Sequence, residues 1–124
     1  HRTAGQDAEY WNEQATRNAE NIAARLLEER GLTILAQRLR TPYGELDILA
    51  ADSEWLIAVE VKQRRSLQES ALCLTVRQSQ RLMEAFNYIL LTKPEWNRPS
   101  TRFDLIVVDP SGQARRIQDA LRQF

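Results

Sequence analysis

Residues 44–65 read GELDILAADSEWLIAVEVKQRR, and the fold turns on how this stretch is divided. Asp52-Ser53-Glu54 is a short polar turn between two apolar runs, 44–50 and 55–62, so the runs read as the two strands of a hairpin. The second opens with five apolar residues, Trp55 to Val59, as a buried strand does. It then places Glu60 and Lys62 around Val61 with no glycine or turn between. Side chains alternate along a strand, so Glu60 and Lys62 share a face with Leu56 and Ala58. The same alternation puts Glu45 and Asp47 together and sends Leu46, Ile48 and Ala50 the other way. A hairpin closed by an even-numbered loop opposes residues whose numbers sum to an odd value. Asp47 then falls opposite Glu60, or opposite Ala58 one step away, and Asp47, Glu60 and Lys62 share one patch.

Outward from the hairpin, residues 9–30 read as a helix. Ala15, Ala19, Ile22, Ala23, Leu26 and Leu27 recur at helical spacing, and Gly31 stops it. Glu20 lies about 100° from the centre of that stripe, at its edge. Residues 32–39 make a first strand. After a connection at 63–74, residues 76–91 form a second helix with Leu82, Ala85, Phe86, Ile89 and Leu90 inward and Pro94 beyond its end. RFDLIVV at 102–108 is a fourth strand, and Asp109-Pro110-Ser111-Gly112 turns it towards a short element at 114–117. Helix, three strands, helix, strand predicts an α/β domain, a mixed sheet flanked by helices.

The 124 residues, 43% hydrophobic, suit one domain over the whole chain, with a core at about 9–120 and residues 1–8 expected to be flexible. A net charge of zero argues against an overall basic nucleic-acid coat but leaves room for a local basic patch. The single cysteine, Cys73, forms no internal disulfide, which fits a reducing cytoplasm. No apolar run reaches the ~20 residues of a membrane span, so no membrane partner is expected. Of 17 basic residues only Lys62 and Lys93 are lysine, which draws attention to a lysine in a strand.

Two carboxylates held close repel unless positive charge lies between them. Lys62 supplies part of that charge, and a divalent cation is the natural remainder; hard oxygen ligands suit Mg²⁺ or Mn²⁺. Such a site favours phosphodiester hydrolysis, because the cation lowers the pKa of a bound water and offsets charge developing on the phosphate. The same spacing also fits a plainer role. Glu60 and Lys62 would then guard an edge strand against aggregation, with Glu45 and Asp47 paired to surface arginines.

Asp47, twelve residues, then Glu60-Val61-Lys62 resembles the PD-(D/E)XK signature of restriction-endonuclease-like nucleases. The wider pattern is more specific: Glu20-x-x-Ala23-x-x-Leu26 with Gly31, Gly44-Glu45-Leu46-Asp47, Glu60-Val61-Lys62-x-Arg64, and Arg102-Phe103-Asp104. In order and spacing, over roughly residues 17–120, it resembles the YraN family of bacterial proteins, predicted endonucleases related to archaeal Holliday-junction resolvases. The resemblance implies an αβββαβ core whose active edge gathers Glu20, Asp47, Glu60 and Lys62. Asp47 and Glu60 would be metal ligands, with the Val61 carbonyl a third. Glu20 would complete the site directly or through water, and Lys62 would orient or activate the attacking water. Glu45 would support the ligands or a second metal.

Where the family pattern carries a lysine, this chain has Gln78. It either faces the sheet to contact water or phosphate, or closes the helix N-terminus in a capping box with Thr75. Arg64, Arg65, Arg77, Arg81 and Arg102 are candidates for phosphate contact, since guanidinium binds phosphate in a fork. Nothing resembles a base-reading element, so structured or branched DNA is expected as partner rather than a specific sequence. Symmetric cutting of a four-way junction needs two active sites and would favour a homodimer. Trp11, Trp55 and Trp96 are expected to pack. The competing functions are a nucleic-acid-binding protein of the same fold with weak or no catalysis and a structural or partner-binding domain whose carboxylate patch binds no metal.

Overall fold

The computed structural model describes residues 4–68 and 74–123, with the backbone alone for 4–12, 122 and 123. The expectations for Trp11 and Cys73 fall on side chains outside that description. Helix α1 (Ala4–Glu29) is followed by strands β1 (Thr33–Thr41), β2 (Gly44–Ala51) and β3 (Trp55–Gln63). Helix α2 (Val76–Thr92), strand β4 (Ser100–Val108) and strand β5 (Ala114–Ile117) complete the order. The sheet runs β1-β2-β3-β4-β5; β3 and β4 are parallel, joined through α2, and the other neighbours are antiparallel. The expected α/β order is present, and the short element at 114–117 adds a fifth, edge strand. Helix α1 begins at Ala4, five residues before the expected start.

Glycine ends α1 by its backbone. Gly31 takes φ +88°, Leu32 N–H donates to the Leu27 carbonyl, and Gly31 N–H donates to that of Glu28. These are the two bonds of a Schellman cap, and Leu32 packs into the same core as Leu27. One face of the sheet, Ile48, Ala50, Ile57, Val59, Ile106 and Val108, receives α1 through Ala19, Ala23, Ala24 and Leu27. Ala15 is exposed and Ala24 buried, so the apolar stripe is rotated from the expected one. The opposite face, with Leu49, Ala51, Leu56, Ala58 and Phe103, receives α2 through Leu82, Ala85, Phe86 and Ile89. Trp55 and Trp96 pack at the margins of these two cores, as expected.

The β2–β3 turn closes with Asp52 N–H donating to the Trp55 carbonyl, an even loop. Register then runs Ala51↔Leu56 to Ile48↔Val59, all odd sums. The expected faces of Asp47, Glu60 and Lys62 follow, but that of Leu46 does not. Leu46 packs with the α2 core while Ile48 packs with the α1 core, though two residues apart in one strand. The cause lies across the ladder. Arg38 adopts φ +52°, between Gln37, the partner of Ile48, and Leu39, the partner of Leu46. A non-glycine residue in this left-handed region costs roughly 1 kcal/mol or more. Beyond it Leu39 and Leu46 both join the α2 core, and Tyr43 at the hairpin tip meets Tyr88 of α2 edge-on, ring centroids 6.3 Å apart.

Candidate active site

Asp47 stands where the β2–β3 ladder ends. Regular pairing past Ile48↔Val59 would give Val61 N–H to the Leu46 carbonyl. Instead Val61 N–H donates to Oδ2 of Asp47 at 2.8 Å. A strand residue sends its N–H and C=O towards the same neighbour, so the Val61 carbonyl also leaves on the side where β2 has parted. On its other flank β3 remains paired with β4 as far as Gln63↔Val108. The split is therefore one-sided, and the strand that carries Glu60 stays fixed.

Glu60 follows Ala58 and Leu56 on the α2-facing side and is buried, 9% exposed. Burial is the main reason its carboxyl is pushed up, to about 9; a shared hydrogen bond and the charge of Asp47 add to this. The Glu60 carboxyl is thereby held towards its neutral form, with Asp47 as its hydrogen-bond neighbour. The charges of Lys62 and Arg81 oppose the rise without cancelling it. Lys62, half-buried one step along the same face, makes no ion pair among the described residues.

Arg81 reaches this group from α2 across Gly44. A Cβ at Gly44 would lie 3.2 Å from Cδ and 3.4 Å from Nε of Arg81, and φ there is +126°. Glycine at this point of the Gly44-Glu45-Leu46-Asp47 motif thus serves both backbone and neighbour. Arg77 lies one turn earlier on the same helical face, and both line an open hollow of about 360 Å³ with Gln78, Gln80 and Glu84. Arg65 is exposed at the end of β3; Arg64 donates through Nη1 to the Gln63 carbonyl at 2.7 Å.

Glu20 is bound by Arg38, and among the described residues no three His, Cys, Asp or Glu side chains gather into a group that could hold a metal ion. Glu20 is buried on α1, 7% exposed, and its Oε2 accepts from Arg38 Nε at 2.8 Å. Glu45 is exposed, and its charge acts on Arg38. Gln78 is the capping residue of the two alternatives: its Oε1 accepts from Thr75 N–H at 3.1 Å, and its own N–H donates to Thr75 Oγ1 at 3.1 Å. Its amide closes α2 and does not support the carboxylate pair.

Arg102 also leaves the phosphate-facing set. Its guanidinium forks onto Asp104, Nε to Oδ1 at 2.8 Å and Nη2 to Oδ2 at 3.1 Å, and lies 4.9 Å from the Trp55 ring centroid. Asp104 is fully buried and also accepts from Arg116 Nε and from Asp119 N–H. The Arg102-Phe103-Asp104 motif is therefore a structural tie between β4 and the chain end. Arg38 and Arg116 were missed by sequence reasoning. Their partners are far off along the chain, and nothing in their local spacing signals either.

A family model, described as "Uncharacterised protein family UPF0102", matches residues 19–108. A UPF0102 protein of Granulibacter bethesdensis is 52% identical over 104 residues, 84% of this chain and 66% of that protein. The chain therefore spans just under two thirds of that relative's length. Another from a Bradyrhizobium species is 44% identical over 100 residues (81% and 74%), and one from Acidiphilium cryptum 39% over 110 residues (89% and 85%). The match runs from the first helix to the last residue of β4 and spans Glu20, Asp47, Glu60, Lys62 and Asp104; the chain belongs to the UPF0102 family, the YraN family.

Proposed function

We propose that this protein is a Mg²⁺- or Mn²⁺-dependent nuclease with a restriction-endonuclease-like core, hydrolysing phosphodiester bonds in structured or branched DNA. The observation that carries the reading is the placement of Asp47 and the buried Glu60 together where β2 parts from β3, with Val61 N–H bound to Asp47. Solvated carboxylates would separate; these are fixed by Val61 N–H on one side and by the core on the other. Two carboxylates and a backbone carbonyl are the oxygen donors that Mg²⁺ or Mn²⁺ takes, so the residues fit the group. When bound, the cation would polarise the phosphate and make water a better nucleophile.

The chain's own groups supply the rest. Lys62 Nζ, on the face of Glu60, donates a hydrogen bond that orients water or a phosphate oxygen. Arg81 and Arg77 hold phosphate from α2, and Arg65 extends that contact past the end of β3. One observation favours a second reading, DNA binding without catalysis: the amide of Gln78 is committed to the helix cap and offers no charge to the site.

Cleavage of branched, flapped and linear DNA with Mn²⁺ tests both. The wild type is expected to cut a branched substrate, and Asp47→Ala, Glu60→Ala and Lys62→Ala each to lose roughly 100-fold or more. Cleavage that survives all three substitutions sinks the nuclease reading. Tight binding by the wild type with no cutting selects the second.

A further inference from the structure

The tip of the β1–β2 hairpin has no part in the chemistry described above, yet it is built stiffly. Thr41 pairs with Gly44, which leaves a loop of two residues, Pro42 and Tyr43. Two-residue hairpin loops favour turns with positive φ; the ring of Pro42 bars that, and Tyr43 does not adopt it. The tip is closed instead by the Thr41 hydroxyl, which accepts from Tyr43 N–H at 3.1 Å and donates to the Gly44 carbonyl at 2.6 Å. A single exposed apolar side chain is ordinary on a protein surface. The Tyr43 ring, 48% exposed, differs in being held twice, through its backbone by Thr41 and through its ring by Tyr88 at an interplanar angle of 64°. An edge contact of that kind leaves a broad face of the Tyr43 ring uncovered by Tyr88.

The ring stands on the same side of the sheet as Glu60. Tyr43 meets α2 through Tyr88, and the next residue, Gly44, lies against the Arg81 side chain. Asp47 follows four residues along β2, about 13 Å at the rise of a strand, a distance that a few nucleotides of one DNA strand span. We propose that Tyr43 is a base-stacking residue that takes the face of an unpaired DNA base next to the phosphate held by Arg81, and so favours branched or flapped DNA over plain duplex. The proposal deepens the reading above and takes from it that Arg81 holds phosphate. Every base has a π-face, so stacking on an aromatic ring is tolerant of sequence, which suits a surface with no base-reading element. Inside a duplex that face is covered by the neighbouring pairs, whereas a flap or branch point offers it. A ring already held in place loses little freedom on binding, so more of the stacking energy appears as affinity.

Fluorescence anisotropy on the intact chain, without divalent cation so that nothing is cut, tests it with two labelled DNAs: a duplex bearing a single-stranded flap and a blunt duplex of the same sequence. The wild type is expected to bind the flapped DNA more tightly. Tyr43→Leu keeps apolar bulk against Tyr88 but has no ring to stack. It is expected to lose roughly tenfold on the flapped DNA and to stay within about twofold on the duplex. Tyr43→Phe keeps the ring and should bind both as the wild type does. A 2-aminopurine at the first unpaired position, quenched when it stacks, should lose emission with the wild type and keep it with Tyr43→Leu. Equal loss on both DNAs marks a packing residue and overturns the proposal, as does an unchanged affinity for the flapped DNA or a wild type that binds neither. If the wild type cuts branched DNA with Mn²⁺ and Tyr43→Leu binds and cuts alike, the stacking role fails and the nuclease reading stands. If the base stacks on Tyr43 and no DNA is cut, the nuclease reading fails and the stacking role stands.

Discussion

Glu60 folds with its proton on, because burial and the Asp47 carboxylate both oppose its charge. An unfolded glutamate titrates near 4.5 and the folded one at about 9. Below the first value both states hold the proton and the full stability is present; between the two only the folded state does, so stability falls as pH rises. Urea melts without divalent cation are expected to show this loss from pH 5 to pH 9 in the wild type. Glu60→Gln, which stays neutral, should flatten the slope and be more stable at pH 9 by roughly 1–3 kcal/mol; an unchanged slope would place the proton elsewhere. Asp104 is fully buried, with Arg102 and Arg116 paired to it. Asp104→Ala strands two guanidinium groups and is expected to cost about 3–5 kcal/mol, read by thermal melting, without weakening Mn²⁺ binding.

At the scale of elements, the helix caps at Gly31 and Thr75 were legible, while the start of α1 and the face of Leu46 in the hairpin were not. Thr75 with Gln78, and Gly31, announce their roles by type and spacing, because a cap is decided within four residues. Thr75→Ala is expected to lower stability by about 1 kcal/mol. Gln78→Lys, which restores the charge of the family pattern, gives up the reciprocal bond of the box, so any gain in DNA affinity should come with a lower melting temperature. The faces of Asp47, Glu60 and Lys62 followed from strand alternation and loop parity, both local rules. Leu46 did not, because the left-handed turn at Arg38 sits in another strand and leaves no mark on the pattern of β2. Glu20 showed its place at the edge of the α1 stripe, but its partner lies 18 residues on, beyond the reach of helical spacing. For Arg102, residue type suggested phosphate, and burial assigned the fork to Asp104 instead; composition carries no information about which carboxylate is inside.

Taken whole, the molecule is neutral, yet Arg77 and Arg81 stand exposed on one helix face beside the carboxylate pair. If phosphate is held there, the dependence of DNA affinity on salt carries the count of contacts: Arg77→Ala and Arg81→Ala should each reduce the log–log slope by about 1. Arg102→Ala should leave that slope alone and lower the melting temperature. No helix among the described residues is long and apolar enough to cross a membrane. The one-sided split of the sheet also has a spectroscopic use. The Val61 amide proton is held by a side chain rather than by a neighbouring strand. Its nuclear magnetic resonance frequency should therefore move when a cation draws on Asp47, while the amides of Val59 and Leu105, inside the regular ladder, stay in place. A single backbone signal then reports occupancy of the site directly, with no substrate and no turnover.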